Sequence, residues 1–407
     1  MTKLKKREMK LIKSETKNNV LKSMMNILDK RRKEIVEANK KDQEAFSRDD
    51  QALYDRLVVN NKKVDDMIRS VREVMEQDDP VGQVIEHRTL DTGLDITNKT
   101  APFGNILIIY ESRPDVTIEA AVLAFKANNK IYLKGGKEAI NSNKILEECW
   151  HEALKENGLE KNWIELLHMD RTETQEFLKN PPVQLDLIVP RGGERLIGFV
   201  KEHATGAVLV SGRGNNFLYV SKNADFEVAK KVMLNAKIDK ISGCNALDKV
   251  LVDKNIEDFE GKLKELQQLF QDNKVKILVD EEVSKVLTDE EKVPSEDTWY
   301  EEFLAMKIVI GAIDGLDSAI EKINHYSGGH SASIITTDKD EALTFMEQVD
   351  SAAVYHNAST RFTDGGQMGV GAELAISTDK LHHRGPLGLK QLVTNKYYVL
   401  GEGHVRV

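Results

Sequence analysis

From Ala101 onward the chain alternates short apolar runs with helical patterns, and this alternation constrains its fold more than any other feature. GNILIIY (104–110), KIYL (130–133), WIELLH (163–168), QLDLIVP (184–190), GAVLVS (206–211) and NFLYVS (216–221) read as buried strands. Helical periodicity separates them at 117–128, 138–157, 172–179, from the RGG turn to His203, and at 224–236. After Asp253 the theme resumes. VKILVD (275–280), FLAMKIVIG (303–311), ASIITT (332–337) and AAVY (352–355) are strands, with helices at 256–270, 319–326 and 339–349. Strands joined through helices require right-handed crossovers, so the pattern predicts an α/β protein with two units, each a mostly parallel sheet covered on both faces. Ligands of such sheets bind beyond the carboxyl ends of the strands.

Residues 1–80 carry helices only. Val20, Leu21, Met24, Met25, Ile27 and Leu28 recur at helical spacing, and a second pattern runs from Leu57 through Val74 toward Pro80. The segment offers no chemistry of its own, and a structural role is expected. EHRTLDTGLDITNKT (86–100) alternates around Thr92-Gly93 as a hairpin does. The tail NKYYVLGEGHVRV is apolar, β-prone and suited to pairing with another edge or another subunit.

The 407 residues exceed what one hydrophobic core serves. With 58 Lys and Arg against 67 Asp and Glu, the net charge is −9, which argues against a nucleic-acid binder. Two cysteines make no disulfide framework, and neither a CxxC nor a Cys/His cluster at metal spacing occurs, so a reducing cytoplasm and no metal are expected. The basic start, MTKLKKREMK, lacks the apolar core of a secretory signal, and no run approaches a membrane span.

Cys244 falls in ISGCNALDKV, between a helical pattern and a strand-like run. A thiol in a loop where backbone N–H groups can be left free is a candidate nucleophile; the alternative is a buried packing cysteine. Cys149, inside the helical pattern ILEECWHEAL, reads as packing. ESRPDVT (111–117), KGGK (134–137) and RGGE (191–194) follow strands, and a Gly pair ahead of a helix lets backbone N–H groups face a phosphate, although ordinary turns also look like this. No GxGxxG is present. The stretch 356–389 is dense in Gly, His, Arg and Ser, as site-building loops are. There Arg361 and Arg384 offer planar forks for carboxylate or phosphate, and Ser359 and Thr360 add neutral donors. His330, His356, His382 and His383 show no metal spacing and read as hydrogen-bonding or structural residues.

Taken together, YESRPDVTIEAA, LKGGKEAINSN, DLIVPRGGERLI, CNALDKVLV, NASTRFTDG and KLHHRGPLGL resemble the γ-glutamyl phosphate reductase family of the aldehyde dehydrogenase superfamily, in order from about Ala101 to the C-terminus. The resemblance implies an aldehyde dehydrogenase-like fold. It divides into an NADPH-binding domain (1–85 and 101–240), a catalytic domain (241–388) and an oligomerisation flap (86–100 and 389–407). It implies NADPH-dependent reduction of L-glutamate 5-phosphate to L-glutamate 5-semialdehyde with release of phosphate, in proline biosynthesis, by a homo-oligomer; because the acyl phosphate is labile, glutamate 5-kinase is a candidate transient partner.

The resemblance also assigns residues. Cys244 would be the nucleophile, with its own N–H and Ser112 as oxyanion donors. Lys134 would meet the adenosine ribose, and Lys137 stands where many NAD enzymes carry Glu, which favours the 2′-phosphate of NADPH. Gly192 and Gly193, with Arg191 and Arg195 nearby, would take the pyrophosphate. Glu302 would hold the nicotinamide ribose, unless it is a solvated edge charge. Two departures from the family pattern are Asp115, where Asn is usual, and KISGCN ahead of and through the cysteine. Hydrolytic aldehyde dehydrogenases carry a water-activating Glu in the turn that here reads Leu209-Val210-Ser211-Gly212, so a thioester would persist. The competing readings are an oxidative NAD(P)-dependent aldehyde dehydrogenase and a catalytically silent nucleotide-binding oligomer.

Overall fold

The computed structural model describes residues 10–47 and 50–406, so the basic stretch 1–9 lies outside the described residues. Its contacts group the chain into two compact units. One comprises Met1–Val210, Gly369–Ala375 and Leu387–Val407; the other comprises Ser211–Met368 and Ile376–Pro386. Among the described residues no helix is long and apolar enough to cross a membrane.

The first unit begins with α1 (Ser14–Lys30), α2 (Arg32–Glu44), α3 (Gln51–Leu57) and α4 (Asn61–Glu76). Asn60 accepts the N–H of Lys63 and starts α4 afresh, so the pattern expected to run on from Leu57 is two helices. Next come β1 (Val84–Thr89) and β2 (Asp95–Pro102), an antiparallel hairpin turned at Gly93, whose φ of 85° suits glycine. Residues Val393–Leu400 pair with β2 and complete a three-stranded sheet.

The α/β part follows as β3 (Asn105–Tyr110), α5 (Val116–Lys126), β4 (Lys130–Lys134), α6 (Ile140–Glu156), β5 (Ile164–Leu166), α7 (Arg171–Lys179), β6 (Leu187–Arg191) and α8 (Glu194–His203). The sheet is parallel in the order β5-β4-β3-β6. Alternate residues of its strands face opposite sides. Ile106, Ile108, Ile131 and Leu133 pack with Leu21 and Val71 of the N-terminal helices, while Leu107, Ile109 and Ile188 pack with Leu178 and Val200. The expected strand GAVLVS is reduced to one bridge, Val208 with Ile188. Two backbone hydrogen bonds hold it to β6 before the chain enters the second unit at Ser211.

The second unit runs β7 (Asn216–Val220), α9 (Phe226–Ile238), β8 (Leu247–Asp253), α10 (Phe259–Asp272), β9 (Lys276–Val279), β10 (Glu291–Lys292), α11 (Asp297–Tyr300), β11 (Lys307–Ile313), α12 (Gly315–Tyr326), β12 (Ser331–Ile335), α13 (Lys339–Gln348) and β13 (Ala353–His356). Asp225 and Asp338 cap α9 and α13 by accepting first-turn N–H groups. Seven parallel strands lie in the order β10-β9-β11-β8-β7-β12-β13. This corrects the boundary expected at 240. Strand β7 pairs with β8 and β12 in the middle of this sheet, so residues 211–240 belong to the second unit.

Candidate active site

Cys244 lies half-buried in the turn between α9 and β8. Hydrogen bonds from Gly243 N–H to Lys240 O and from Ala246 N–H to Gly243 O shape that turn. Asn216, fully buried at the start of β7, reaches it from below. Its amide nitrogen donates to the carbonyls of Gly214 (2.8 Å), Cys244 (2.8 Å) and Ala246 (2.7 Å). A Cβ on Gly214 would fall 2.0 Å from the Cys244 carbonyl oxygen, so only glycine permits this backbone approach.

The loop 359–363 is tied to the same turn. Asn245 donates to the carbonyls of Arg361 (3.1 Å) and Thr363 (2.9 Å), and the Thr360 hydroxyl donates to Asn245 O at 2.8 Å. Ser359 Oγ accepts the N–H of Arg361. The Arg361 guanidinium pairs through Nε with Asp239 Oδ2 at 3.0 Å, and its Nη1 lies 2.8 Å from where a Cβ on Gly243 would be. The structure therefore brings Cys244, Ser359, Thr360 and Arg361 together. Thr360 is a brace in this arrangement, since its one proton is committed to Asn245. Cys149 is fully buried in α6, and burial pushes its thiol up to about 12, which leaves it inert.

Arg384 is already engaged: Nη1 meets Asp350 Oδ1 at 2.6 Å and Nη2 donates to Asp350 O at 2.8 Å. The hydrogen bonds from Arg384 and then Lys380 hold the Asp350 carboxyl below its ordinary range. As a substrate ligand Arg384 would have to leave this pair. His330 is fully buried, and burial pushes its imidazole down to about 4. It meets Ser331 Oγ, which joins Thr363 Oγ1, and Tyr355 OH meets the same oxygen. His356 and His383 meet the carbonyls of Thr336 and Pro386. Among the described residues no group of three or more His, Cys, Asp or Glu is placed to hold a metal. Glu302 lies half-buried in the irregular segment between α11 and β11.

In the first unit the ESRPDVT loop follows β3. Ser112 is fully buried at φ 27°, and both its N–H (3.0 Å) and its hydroxyl (2.9 Å) donate to Glu138 Oε1. This corrects the oxyanion expectation for its side chain. The single hydroxyl proton is committed to Glu138, and the residue braces a strained loop. Asp115 is buried between Arg113 and Lys63 (Lys63 Nζ at 2.6 Å). Burial alone would raise its pKa, but the two cations outweigh it and hold the carboxyl at about 2.

The KGGK turn also departs from expectation. Asp42, from α2, accepts from the backbone and side chain of both Asn141 and Ser142 at 2.6–3.0 Å, so a carboxylate already fills the start of α6. The N–H groups of Asn141 and Ser142 at the start of α6 therefore face Asp42 and are not left for a phosphate, contrary to the expectation that this helix start would face one. Lys134 is half-buried, with burial lowering its pKa, and donates to Gly135 O; Lys137 is exposed just before α6. At RGGE, Gly193 N–H donates to Glu111 Oε2 at 3.2 Å, and a Cβ on Gly192 would lie 2.4 Å from that oxygen. The start of α8 thus receives an oxyanion through one long bond at a partly open place. Arg195 is exposed on its first turn.

This donor set fits a dinucleotide phosphate: Gly193 N–H already donates to a carboxylate oxygen, and Lys134, Lys137 and Arg195 supply cations in the same unit. Asp42, Lys63, Glu111 and Asn216 escaped the sequence reading, and Asn245 was legible there only as a turn residue beside the thiol. Of the four, Asp42 alone left a signal, a polar residue on the apolar stripe of α2.

Parallel sheets in this order, with a cysteine on the turn before a central strand, define the aldehyde dehydrogenase class, and the aldehyde dehydrogenase family model matches residues 2–283. The chain belongs more particularly to the γ-glutamyl phosphate reductase family, which makes it an oxidoreductase. It is 40% identical over 402 residues to the γ-glutamyl phosphate reductase of Dictyoglomus turgidum, covering 97% of this chain and 95% of that one. It is 43% identical over 395 residues to that of Thermotoga maritima, covering 96% and 94%. The crystal structure of the Thermotoga maritima protein superposes with a TM-score of 0.92, covering 97% of this chain and 95% of that one. An acetylating aldehyde dehydrogenase from Geobacillus thermoglucosidasius shares the fold at 17% identity and a TM-score of 0.68, over 97% of this chain and 94% of that one.

Proposed function

We propose that this protein reduces L-glutamate 5-phosphate to L-glutamate 5-semialdehyde with NADPH, releasing phosphate, as a cytoplasmic enzyme of proline biosynthesis. The observation that carries this reading is the Cys244 turn, pinned by Asn216 and Asn245 with the Arg361 guanidinium against the preceding residue. A thiolate at Cys244 attacks the acyl carbon, the C–S bond forms and the C–O bond to phosphate breaks. Arg361 presents a fork to the leaving phosphate or to the α-carboxylate. The thioester persists because residues 209–212 (Leu-Val-Ser-Gly) hold no carboxylate to activate water. In the first unit Lys134, Lys137 and Gly193 would hold the phosphate-bearing part of NADPH, and in the second Glu302 would take its nicotinamide ribose; the cofactor would supply the hydride. Collapse of the resulting thiohemiacetal breaks the C–S bond and returns the Cys244 thiolate.

The sheet of β1, β2 and 393–400 is our candidate oligomerisation flap, because its outer strand exposes Tyr397, Tyr398, Val399 and Leu400. Its occupant would be a second copy of this chain, and glutamate 5-kinase is a candidate transient partner because the acyl phosphate is labile.

The test runs the reaction in reverse with glutamate semialdehyde, NADP⁺ and varied phosphate. NADPH formation should rise from near zero with added phosphate and should vanish in Cys244→Ala. Turnover without phosphate, or activity in Cys244→Ala, would sink the proposal.

A further inference from the structure

Strand β8 is the central strand of its sheet, and each of its seven residues is buried, yet two neighbours on it are charged: Asp248 and Lys249. Charges in such a place are costly unless they are paired and hydrogen-bonded. Part of the reason is local. Asp248 Oδ1 pairs with Lys237 of α9 at 3.0 Å, also fully buried. The rest of the bonding goes to the segment that carries Glu302. Asp248 Oδ2 accepts the N–H of Phe303 at 2.9 Å, and Lys249 Nζ donates to the carbonyl of Glu301 at 2.8 Å. The residue before Glu302 and the residue after it are thus each held by one of two adjacent side chains.

The segment needs such holding. Residues 301–306 form neither helix nor strand, and Leu304 adopts φ 46°, a left-handed conformation that a leucine keeps only when its surroundings impose it. The Phe303 ring anchors the segment further, with Lys249 Nζ 3.7 Å and Lys307 Nζ 3.9 Å from its centroid. Lys307 also pairs with the Glu301 carboxylate at 3.3 Å.

We propose that Asp248 and Lys249 are positioning residues that fix the backbone on either side of Glu302, so that its carboxylate is preset for the ribose of the nicotinamide cofactor. This rests on the reading above that Glu302 is a cofactor ligand. Burial pulls Lys249 down to about 7, and the amine remains a donor to Glu301 O in either protonation state.

The experiment is a double-mutant cycle on equilibrium NADPH affinity, read by fluorescence titration of the folded full-length chain without substrate. Lys249→Met removes a buried charge and keeps much of the volume, so it is expected to fold. It should weaken NADPH roughly three- to tenfold, the size of one lost buried hydrogen bond. In a Glu302→Gln background the same change should have less than about a twofold effect, because a residue acting through Glu302 has nothing left to position. Asp248→Asn, with its thermal midpoint measured alongside, should show the same non-additivity. The rate of Cys244 alkylation by iodoacetamide should stay within about twofold in every variant. If Lys249→Met binds NADPH like the parent, or weakens it equally in both backgrounds, the positioning role is overturned. If Glu302→Gln alone leaves affinity unchanged, the ligand reading of Glu302 fails, and this inference falls with it.

Discussion

The side-chain amide of Asn216 and the carbonyl of Cys244 are joined at 2.8 Å, and the same nitrogen holds the carbonyl of Ala246, two residues further along the turn, and that of Gly214, two residues before Asn216 itself. A thiol is an effective nucleophile only if its backbone presents it repeatedly at one angle, and here a buried donor sets that angle. Gly214→Ala tests the relationship from the other side, because the new Cβ would lie 2.0 Å from the Cys244 carbonyl oxygen. The turn must shift. We expect a loss of roughly 100-fold in turnover with a stability cost of about 1–3 kcal/mol. Steady-state kinetics beside a thermal melt would check both; near-normal turnover would mean that the turn tolerates displacement.

Glu111 occupies the anion position at the start of α8 through one 3.2 Å bond from Gly193. If a cofactor phosphate takes that place, Glu111 must yield, and its negative charge opposes the exchange. Glu111→Gln removes the charge at nearly constant shape. NADPH should then bind about three- to thirtyfold more tightly, the range expected for one like-charge contact at intermediate screening. Weaker binding in the titration would instead make Glu111 a cofactor ligand.

The cation at Lys137 predicts the choice of cofactor. It is exposed ahead of α6, whose own first-turn N–H groups Asp42 has taken, so side-chain charge must do the discriminating. Lys137→Glu should shift the ratio of kcat/KM for NADPH over NADH roughly 10- to 100-fold toward NADH. An unmoved ratio would place the 2′-phosphate elsewhere.

Most strands could be read from the chain because fully buried parallel strands are short runs of Ile, Leu and Val, as NILIIY and KIVIGAI are. Which sheet a run joins could not. GAVLVS and NFLYVS look alike, yet the first makes one bridge at the edge of β6 and the second becomes β7 at the heart of the other sheet. The Cys244 loop was visible as Ser242, Gly243 and Asn245 beside a thiol, but the bracing role of Asn245 was not, because its partner Thr363 lies 118 positions later. Asp42 is a middle case. Ile35, Asn39 and Asp42 occupy the buried stripe of α2, and polar residues on an apolar stripe announce a distant partner without naming it.

His330 makes stability depend on pH. The folded chain holds it neutral down to about 4 because it is fully buried, whereas the unfolded chain protonates it near its ordinary value of 6.5. Between those values the unfolded state binds a proton that the folded state does not, so stability falls as pH drops from 6.5 to 4 and the contribution is flat below that. The whole effect is on the order of 3 kcal/mol. Lys249 acts in a separate window. Burial lowers it to about 7 from 10.5, so the unfolded chain carries the extra proton between those values and stability rises with pH across them. His330→Asn should lessen the fall of the thermal midpoint between pH 6.5 and 4 and leave the alkaline rise intact; Lys249→Met should do the reverse, lessening an alkaline rise to which the buried Lys17, Lys126 and Lys237, also lowered by burial, contribute. Midpoints of the two variants and the parent, measured from pH 4 to 10, would separate the two groups. Parallel curves for all three would show that neither burial controls the titration.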